Sequence, residues 1–277
     1  MIDSLLSFLS YAFVWRALAV GLLITVCSAL LGASLVLKRY SMMGDGLSHV
    51  GFGASSIGLA LGIAPLAVAV PAVLIAAFLL LKLGNRGKMK GDAAIAVVSC
   101  SALAVGVIAA KLSHGMNVDI NNYMFGSIYT LGESDVAVSI VLCAVVLALY
   151  LLFYNRIFSV TFDESFARAT GVRVSAYDTL LACLTAVTVV IGMRMMGALL
   201  ISGLLVFPVL TAGRLCRSYR SVIICSVCVA VAGFLGGIAL SFALNTPPGA
   251  SVIAVNLVLL CLFRSIEWLV STLFRKR

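Results

Sequence analysis

Charged residues are scarce in this chain, and its long apolar segments contain almost none. Only 10% of the 277 residues are charged, whereas 63% are hydrophobic. A soluble domain of this length does not need so much apolar surface. Apolar runs of about 20 residues recur from end to end, and each is long enough to cross a bilayer core. The sequence therefore predicts an all-α, polytopic membrane protein, with residues 1–277 forming a single domain.

Motifs for catalysis are also missing. The sequence has no Gly-x-x-x-x-Gly-Lys-Ser/Thr loop for binding phosphate, since Gly84–Lys88 lacks both the spacing and the hydroxyl that follows the lysine. Hydrolysis of ATP by that route is excluded. Only two histidines occur, so acid–base catalysis has few candidates. We therefore do not expect an enzyme.

Nine apolar segments are candidate transmembrane helices. Only Met193–Met196 separates the sixth from the seventh, so the alternative is eight spans plus a re-entrant segment. An extracellular N-terminus and a cytoplasmic C-terminus place most of the 19 basic residues in the cytoplasm, as the positive-inside rule favours. The nine segments are Val14–Leu37, Leu47–Leu61, Ala64–Leu83, Ala93–Ala110, Val136–Tyr154, Tyr177–Gly192, Gly197–Leu215, Val222–Leu244 and Ser251–Leu269.

Asp45 and His49 form an ionisable pair at the start of the second segment. Residues four apart lie on one face of a helix, at a spacing of about 6 Å. Oxygen and nitrogen ligands so placed can bind one divalent cation such as zinc or manganese. An ionisable pair in a membrane is a candidate functional site because its burial is costly. The alternative is that Asp45 caps the helix and His49 is hydrogen-bonded near the interface.

A second possible ligand pair, His114 and Asp119, lies in the outer loop between the fourth and fifth segments. These residues are either solvated loop residues or transient metal contacts at the outer mouth of a pathway. The predicted topology starts the second segment on the cytoplasmic side. Asp45 and His49 are therefore expected near the inner end of the membrane, unless the preceding loop dips inward.

The inner loop between the fifth and sixth segments contains a predicted short helix. Asp163 and Glu164 lie in its first turn, where the helix dipole favours anions, and Gly171 is a plausible C-terminal stop. Phe162, Phe166 and Ala169 share one face. Such an amphipathic helix can insert into a groove on a partner, although a plain connecting helix is the alternative.

Five segments together resemble the membrane permease of metal-ion ABC importers, the family that serves zinc, manganese or chelated iron. They follow the family's order and span most of the chain, and the first and third together are fairly specific. The matching segments are Leu35–His49, Val118–Gly126, Phe166–Val172, Gly197–Pro208 and Pro247–Gly249.

The resemblance implies a homodimer in the plasma (inner) membrane of a prokaryote. A separate cytoplasmic ATP-binding subunit would hydrolyse ATP, and an extracytoplasmic metal-binding protein would deliver the ion. Asp45 and His49 are implied to contact the transported ion, and about Asp163–Val172 is implied to be the coupling helix that docks on the ATPase. The residues implied to couple are Phe162, Asp163, Glu164, Phe166, Ala167 and Gly171.

The expected function is therefore import of a divalent metal ion by alternating access. Zinc is favoured, with manganese or chelated iron as alternatives of the same class. A stand-alone metal channel or secondary transporter is the competing class. We expect no permanently bound cofactor and no nucleic-acid partner.

Overall fold

The computed structural model describes residues 12–86, 91–112 and 133–274, and over these residues the regular structure is helical, without a strand. Short turns join most of the helices. The helices are α1 (Ala12–Leu37), α2 (Met43–Ala60), α3 (Pro65–Arg86), α4 (Gly91–Leu112), α5 (Glu133–Leu152), α6 (Tyr154–Phe162), α7 (Glu164–Ala169), α8 (Val174–Met196), α9 (Ala198–Ala212), α10 (Tyr219–Leu244) and α11 (Pro248–Phe274).

Six of these helices, α1, α3, α4, α8, α10 and α11, are long and apolar enough to cross a membrane. Helices α5 and α6 together count as a seventh span if the 67° bend between them lies within one span. The prediction of a polytopic helical membrane protein is confirmed within the described ranges. The predicted number of nine spans is not confirmed.

The two remaining predicted spans, α2 and α9, account for the difference, because α2 is not apolar enough for a span and α9 is too short. Helix α9 has 15 residues, which corresponds to about 22 Å and falls short of a bilayer core of about 30 Å. Gly197 alone separates it from α8, with φ 90° and ψ 155°, a backbone conformation that favours glycine. The predicted linker Met193–Met196 is instead the last turn of α8. The length of α9 agrees with the half-span considered as an alternative.

Helix α2 packs against α3, α4, α8 and α9, and its small residues allow close approach. A Cβ built on Gly44 would overlap the Leu205 side chain of α9, and one on Gly32 of α1 would overlap the Leu205 backbone. Leu205 therefore contacts both helices.

Candidate functional site

Asp45 and His49 lie on one face of α2, in its first and second turns. His49 Nε2 is 3.7 Å from Asp45 Oδ2, and the side chains are 21% and 45% exposed, respectively. The N-cap residue of α2 is Met42, so the alternative in which Asp45 caps the helix is wrong. The structure therefore keeps both potential ligands together and leaves both side chains partly exposed.

Ser202 of α9 is a third polar group at this site. Its Oγ lies 3.3 Å from Asp45 Oδ1 and 3.0 Å from the Ala198 carbonyl oxygen, so its one proton can be donated to either acceptor. Ser48 Oγ donates to the Asp45 carbonyl oxygen at 2.7 Å and so leaves the carboxylate untouched. Sequence reasoning gave Ser202 no role, because only the fold brings it to a residue 157 positions away.

One chain offers an incomplete metal site. In the parts of the chain that the structure describes, no three His, Cys, Asp or Glu side chains form a group able to hold a metal ion. Tight structural zinc sites use four protein ligands, whereas sites that keep an open position use fewer. His114 and Asp119 lie outside the described residues. The Asp45–His49 pair can thus donate one oxygen and one nitrogen to a cation.

The predicted short inner helix is confirmed, although it is shorter than Asp163–Val172. Helix α7 begins after Asp163, whose Oδ1 accepts the N–H groups of Ser165 and Phe166 at 2.9 and 3.0 Å. This is a side-chain N-cap. Gly171 follows the helix with φ 79°, and the Val172 N–H bonds the Ala167 carbonyl oxygen at 2.9 Å. Asp163, predicted in the first turn, is thus the N-cap that precedes the helix, Glu164 lies in the first turn as predicted, and Gly171 follows the C-terminal end as the predicted stop.

Helix α7 has one anchored side and one open side. Ala167 is fully buried in a small cluster with Val160, Val172 and Val174. Phe162 and Phe166 are each 62% exposed. Phe162 belongs to α6, not to α7, so the predicted shared face is formed by two successive helices. The result is an exposed apolar surface at one end of the bundle.

A charged cluster, Lys38 with Asp178, Glu164 and Arg168, joins α7 to the turn before α2. Lys38 Nζ contacts Asp178 Oδ1 of α8 and lies 3.2 Å from Glu164 Oε1, while Arg168 is 3.6 Å from Glu164 Oε2. Sequence reasoning treated Lys38 only as a topology signal. Asp178 carried a usable signal, because an acid in an apolar segment is unusual.

Tyr40 lies in the same turn as Lys38. Burial raises the pKa of its hydroxyl above the ordinary value, and the negative charges of Asp178 and Glu164 raise it further. The turn is therefore close to both carboxylates of the charged cluster.

Helices of this length and apolarity are those of a multi-pass membrane protein, and Asp45 and His49 give it one candidate pair of oxygen and nitrogen ligands. The family model of the ABC 3 transport family matches residues 10–266. The chain belongs to the ABC 3 transport family, and it is a multi-pass protein of the prokaryotic inner membrane.

Named relatives and a solved structure agree with this family. The chain is 27% identical over 256 residues to the high-affinity zinc uptake system membrane protein ZnuB of Haemophilus influenzae, covering 92% of this chain and 98% of that protein. It is 26% identical to the manganese import system permease protein ScaB of Streptococcus gordonii, with coverages of 89% and 88%. PsaBC from Streptococcus pneumoniae, solved in complex with Fab, matches with a TM-score of 0.84, 25% identity and 95% coverage of both chains.

Proposed function

We propose that this chain is the permease subunit of an ATP-driven importer of divalent metal ions, with zinc as the favoured ion. One observation carries the proposal. Asp45 Oδ2 and His49 Nε2 lie 3.7 Å apart on a helix that has no other ionisable side chain, and both side chains are partly exposed. Named relatives of the family transport zinc or manganese, and both ions accept oxygen and nitrogen ligands.

An open pair suits transport better than a closed site. A site with four protein ligands would hold the ion tightly and slow its release. Two chains in a homodimer would bring two such pairs to one pathway, which switches between outward-open and inward-open forms by alternating access. His114 and Asp119 are included in the proposal as transient contacts at the outer mouth.

We propose one partner protein on each side of the membrane. The exposed Phe162–Phe166 surface supports docking of a cytoplasmic ATP-binding subunit on α7, since this chain has no phosphate-binding loop of its own. An extracytoplasmic binding protein would deliver the metal. The proposed subunit is a single domain, residues 1–277, with its N-terminus outside and its C-terminus in the cytoplasm. A stand-alone channel or secondary transporter is not favoured by any feature of the site.

The test replaces the two ligands. Asp45→Ala and His49→Ala are each expected to abolish uptake of radioactive Zn²⁺ or Mn²⁺ by the assembled complex in proteoliposomes. Asp92→Ala is the matched control, because Asp92 is also an acid in the first turn of an apolar helix and is exposed. Normal uptake by both ligand variants would remove the site assignment, and uptake without ATP would favour a channel. Rescue of cells lacking the protein by single added metals identifies the ion.

A further inference from the structure

Lys38 occupies an unusual place for a lysine. It follows the last residue of α1, its side chain is only 5% exposed, and it lies between two carboxylates from different helices. Asp178 of α8 is almost as buried, at 9%, whereas Glu164 of α7 is half exposed. A buried charge needs a partner, and Asp178 supplies it. The Glu164 contact is thus an additional one that Lys38 does not need in order to be neutralised.

The backbone between Lys38 and the candidate metal site is short and hydrogen-bonded. The Tyr40 N–H bonds the Leu35 carbonyl oxygen at 2.8 Å, and the Met43 N–H bonds the Tyr40 carbonyl oxygen at 3.0 Å. Arg39 has φ 62°, a left-handed conformation that a non-glycine residue keeps only when its surroundings enforce it. A displacement of Lys38 is therefore passed to Met43, two residues before Asp45.

Helix α7 lies at the opposite end of the connection that runs through Lys38 to α2, and it can move. It has only six residues, and a small apolar cluster around Ala167 anchors it. The Glu164–Lys38 contact joins it to the turn before α2. Because Glu164 is partly solvated, its contact with Lys38 can break at small energetic cost, while the buried Lys38–Asp178 pair persists.

We infer that Lys38 is a positioning residue for transport, which links the coupling helix α7 to the Asp45–His49 site through Glu164. This inference rests on the proposed function. A partner subunit that displaces α7 pulls on Lys38 or releases it. The first turn of α2 then follows through the hydrogen-bonded turn. Asp178 keeps Lys38 neutralised in both arrangements, so the switch exposes no unpaired buried charge.

Two sets of variants approach the link from opposite ends. Glu164→Gln removes the α7 charge and leaves the Lys38–Asp178 pair intact. Lys38→Met with Asp178→Leu replaces a buried ion pair by apolar side chains, an exchange that folded proteins often tolerate. These two residues are too buried to contact a docked subunit. Glu267→Gln is the matched control, because it makes the same change at a partly exposed glutamate of α11, which pairs with Arg214 and Arg264 and lies outside α7 and the charged cluster.

The measurement is the number of Zn²⁺ ions moved per ATP hydrolysed by the complete complex in proteoliposomes. A merely structural defect lowers uptake and hydrolysis together and leaves this ratio unchanged. We expect the ratio to fall about two- to fivefold in Glu164→Gln, the range for losing a contact of about 0.5–1 kcal/mol. The ratio should fall by a similar factor in the Lys38→Met/Asp178→Leu variant. Combining all three substitutions should lower the ratio no further, and the control variant should leave it unchanged.

An unchanged ratio in Glu164→Gln, with the wild type transporting normally, overturns the inference and leaves the proposed function in place. Additive losses in the triple variant also overturn it, because residues on one path cannot act independently. If the wild-type complex moves no metal, the proposed function fails together with the inference. If the Lys38→Met/Asp178→Leu variant does not assemble, the Glu164→Gln result decides alone, because that variant keeps the buried Lys38–Asp178 ion pair.

Discussion

The molecule contains two small groups of ionisable side chains that differ in almost every physical respect. In the charged cluster, Lys38 and Asp178 are in contact and almost fully buried. At the candidate metal site, Asp45 and His49 are 3.7 Å apart and partly exposed, and a serine hydroxyl lies beside the carboxylate. In the first group the buried charges pair with each other. In the second group the lone pairs of the carboxylate and the imidazole remain available to a bound ion.

The difference shows how one apolar bundle can contain both a buried ion pair that connects helices and an open site for a ligand. A buried charge is tolerated only with a partner, so a closed pair keeps one arrangement. A partly exposed pair remains hydrated when empty, so the protein does not have to refold around it when an ion leaves. Both groups flank the same turn between α1 and α2, which makes the contrast testable by single substitutions.

The largest effect on stability should come from removing one partner of the buried Lys38–Asp178 ion pair. Asp178→Asn leaves Lys38 buried beside the half-exposed Glu164 only, and we expect a loss of about 3 kcal/mol in stability. Asp45→Asn, the matched change at the open group, should alter stability by less than about 0.5 kcal/mol. Thermal unfolding in detergent, followed by circular dichroism, measures both. Equal shifts in the two variants would show that burial does not distinguish the groups.

A smaller effect should follow from removing the hydroxyl beside Asp45. Ser202→Ala deletes one hydrogen bond of about 1 kcal/mol, so the apparent KM for metal should rise about fivefold with the maximal rate unchanged. Thr211→Ala is the control on the same helix, because its hydroxyl bonds only the Phe207 carbonyl oxygen at 2.8 Å. Initial uptake rates at a series of Zn²⁺ concentrations give both constants. A change in rate without a change in KM would assign Ser202 to packing.

The exposed Arg168–Glu164 ion pair of the charged cluster should contribute still less to stability. Arg168→Ala removes an exposed ion pair with Glu164, and such pairs contribute less than about 0.5 kcal/mol. The same unfolding assay, repeated at low and high salt, should show almost no difference from the wild type. A loss comparable with that of Asp178→Asn would mean that the cluster acts as one unit.

The smallest effect concerns Tyr40 at high pH. Its raised pKa keeps the hydroxyl protonated in the folded protein at pH values where the unfolded chain has ionised. Its contribution to stability is therefore complete below the ordinary tyrosine pKa and is lost as pH rises through the folded value. Relative to Tyr40→Phe, the wild type should lose stability only above about pH 10. Parallel unfolding curves across that range would contradict the assigned environment.

Much of the fold follows from local pattern. Long apolar runs specified the helices, and Asp163 and Gly171 marked the ends of the short inner helix. The i, i+4 spacing placed Asp45 and His49 together, since one helical turn needs no tertiary information. The break predicted at Met193–Met196, in contrast, is wrong, because its methionines are buried and the helix continues as far as Met196.

The parts that local pattern missed depend on distant contacts. Ser202 meets Asp45 across 157 residues, and Asp178 meets Lys38 across 140. No periodicity relates residues so far apart, so only packing of α8 and α9 against α1 and α2 could reveal these contacts. The same holds for the number of spans, because length and hydropathy do not tell a buried half-helix from a complete crossing.

The seam between α2 and α4 has one more consequence. A Cβ on Gly53 would lie 2.5 Å from the Ala102 carbonyl oxygen, and one on Gly106 would lie 2.7 Å from the Gly53 Cα. The two backbones therefore touch with no side chain between them. Gly53 and Gly106 themselves lose no side-chain entropy in this contact, because glycine has no rotamers. The helix that carries Asp45 and His49 thus packs on this side through direct contact of the two backbones.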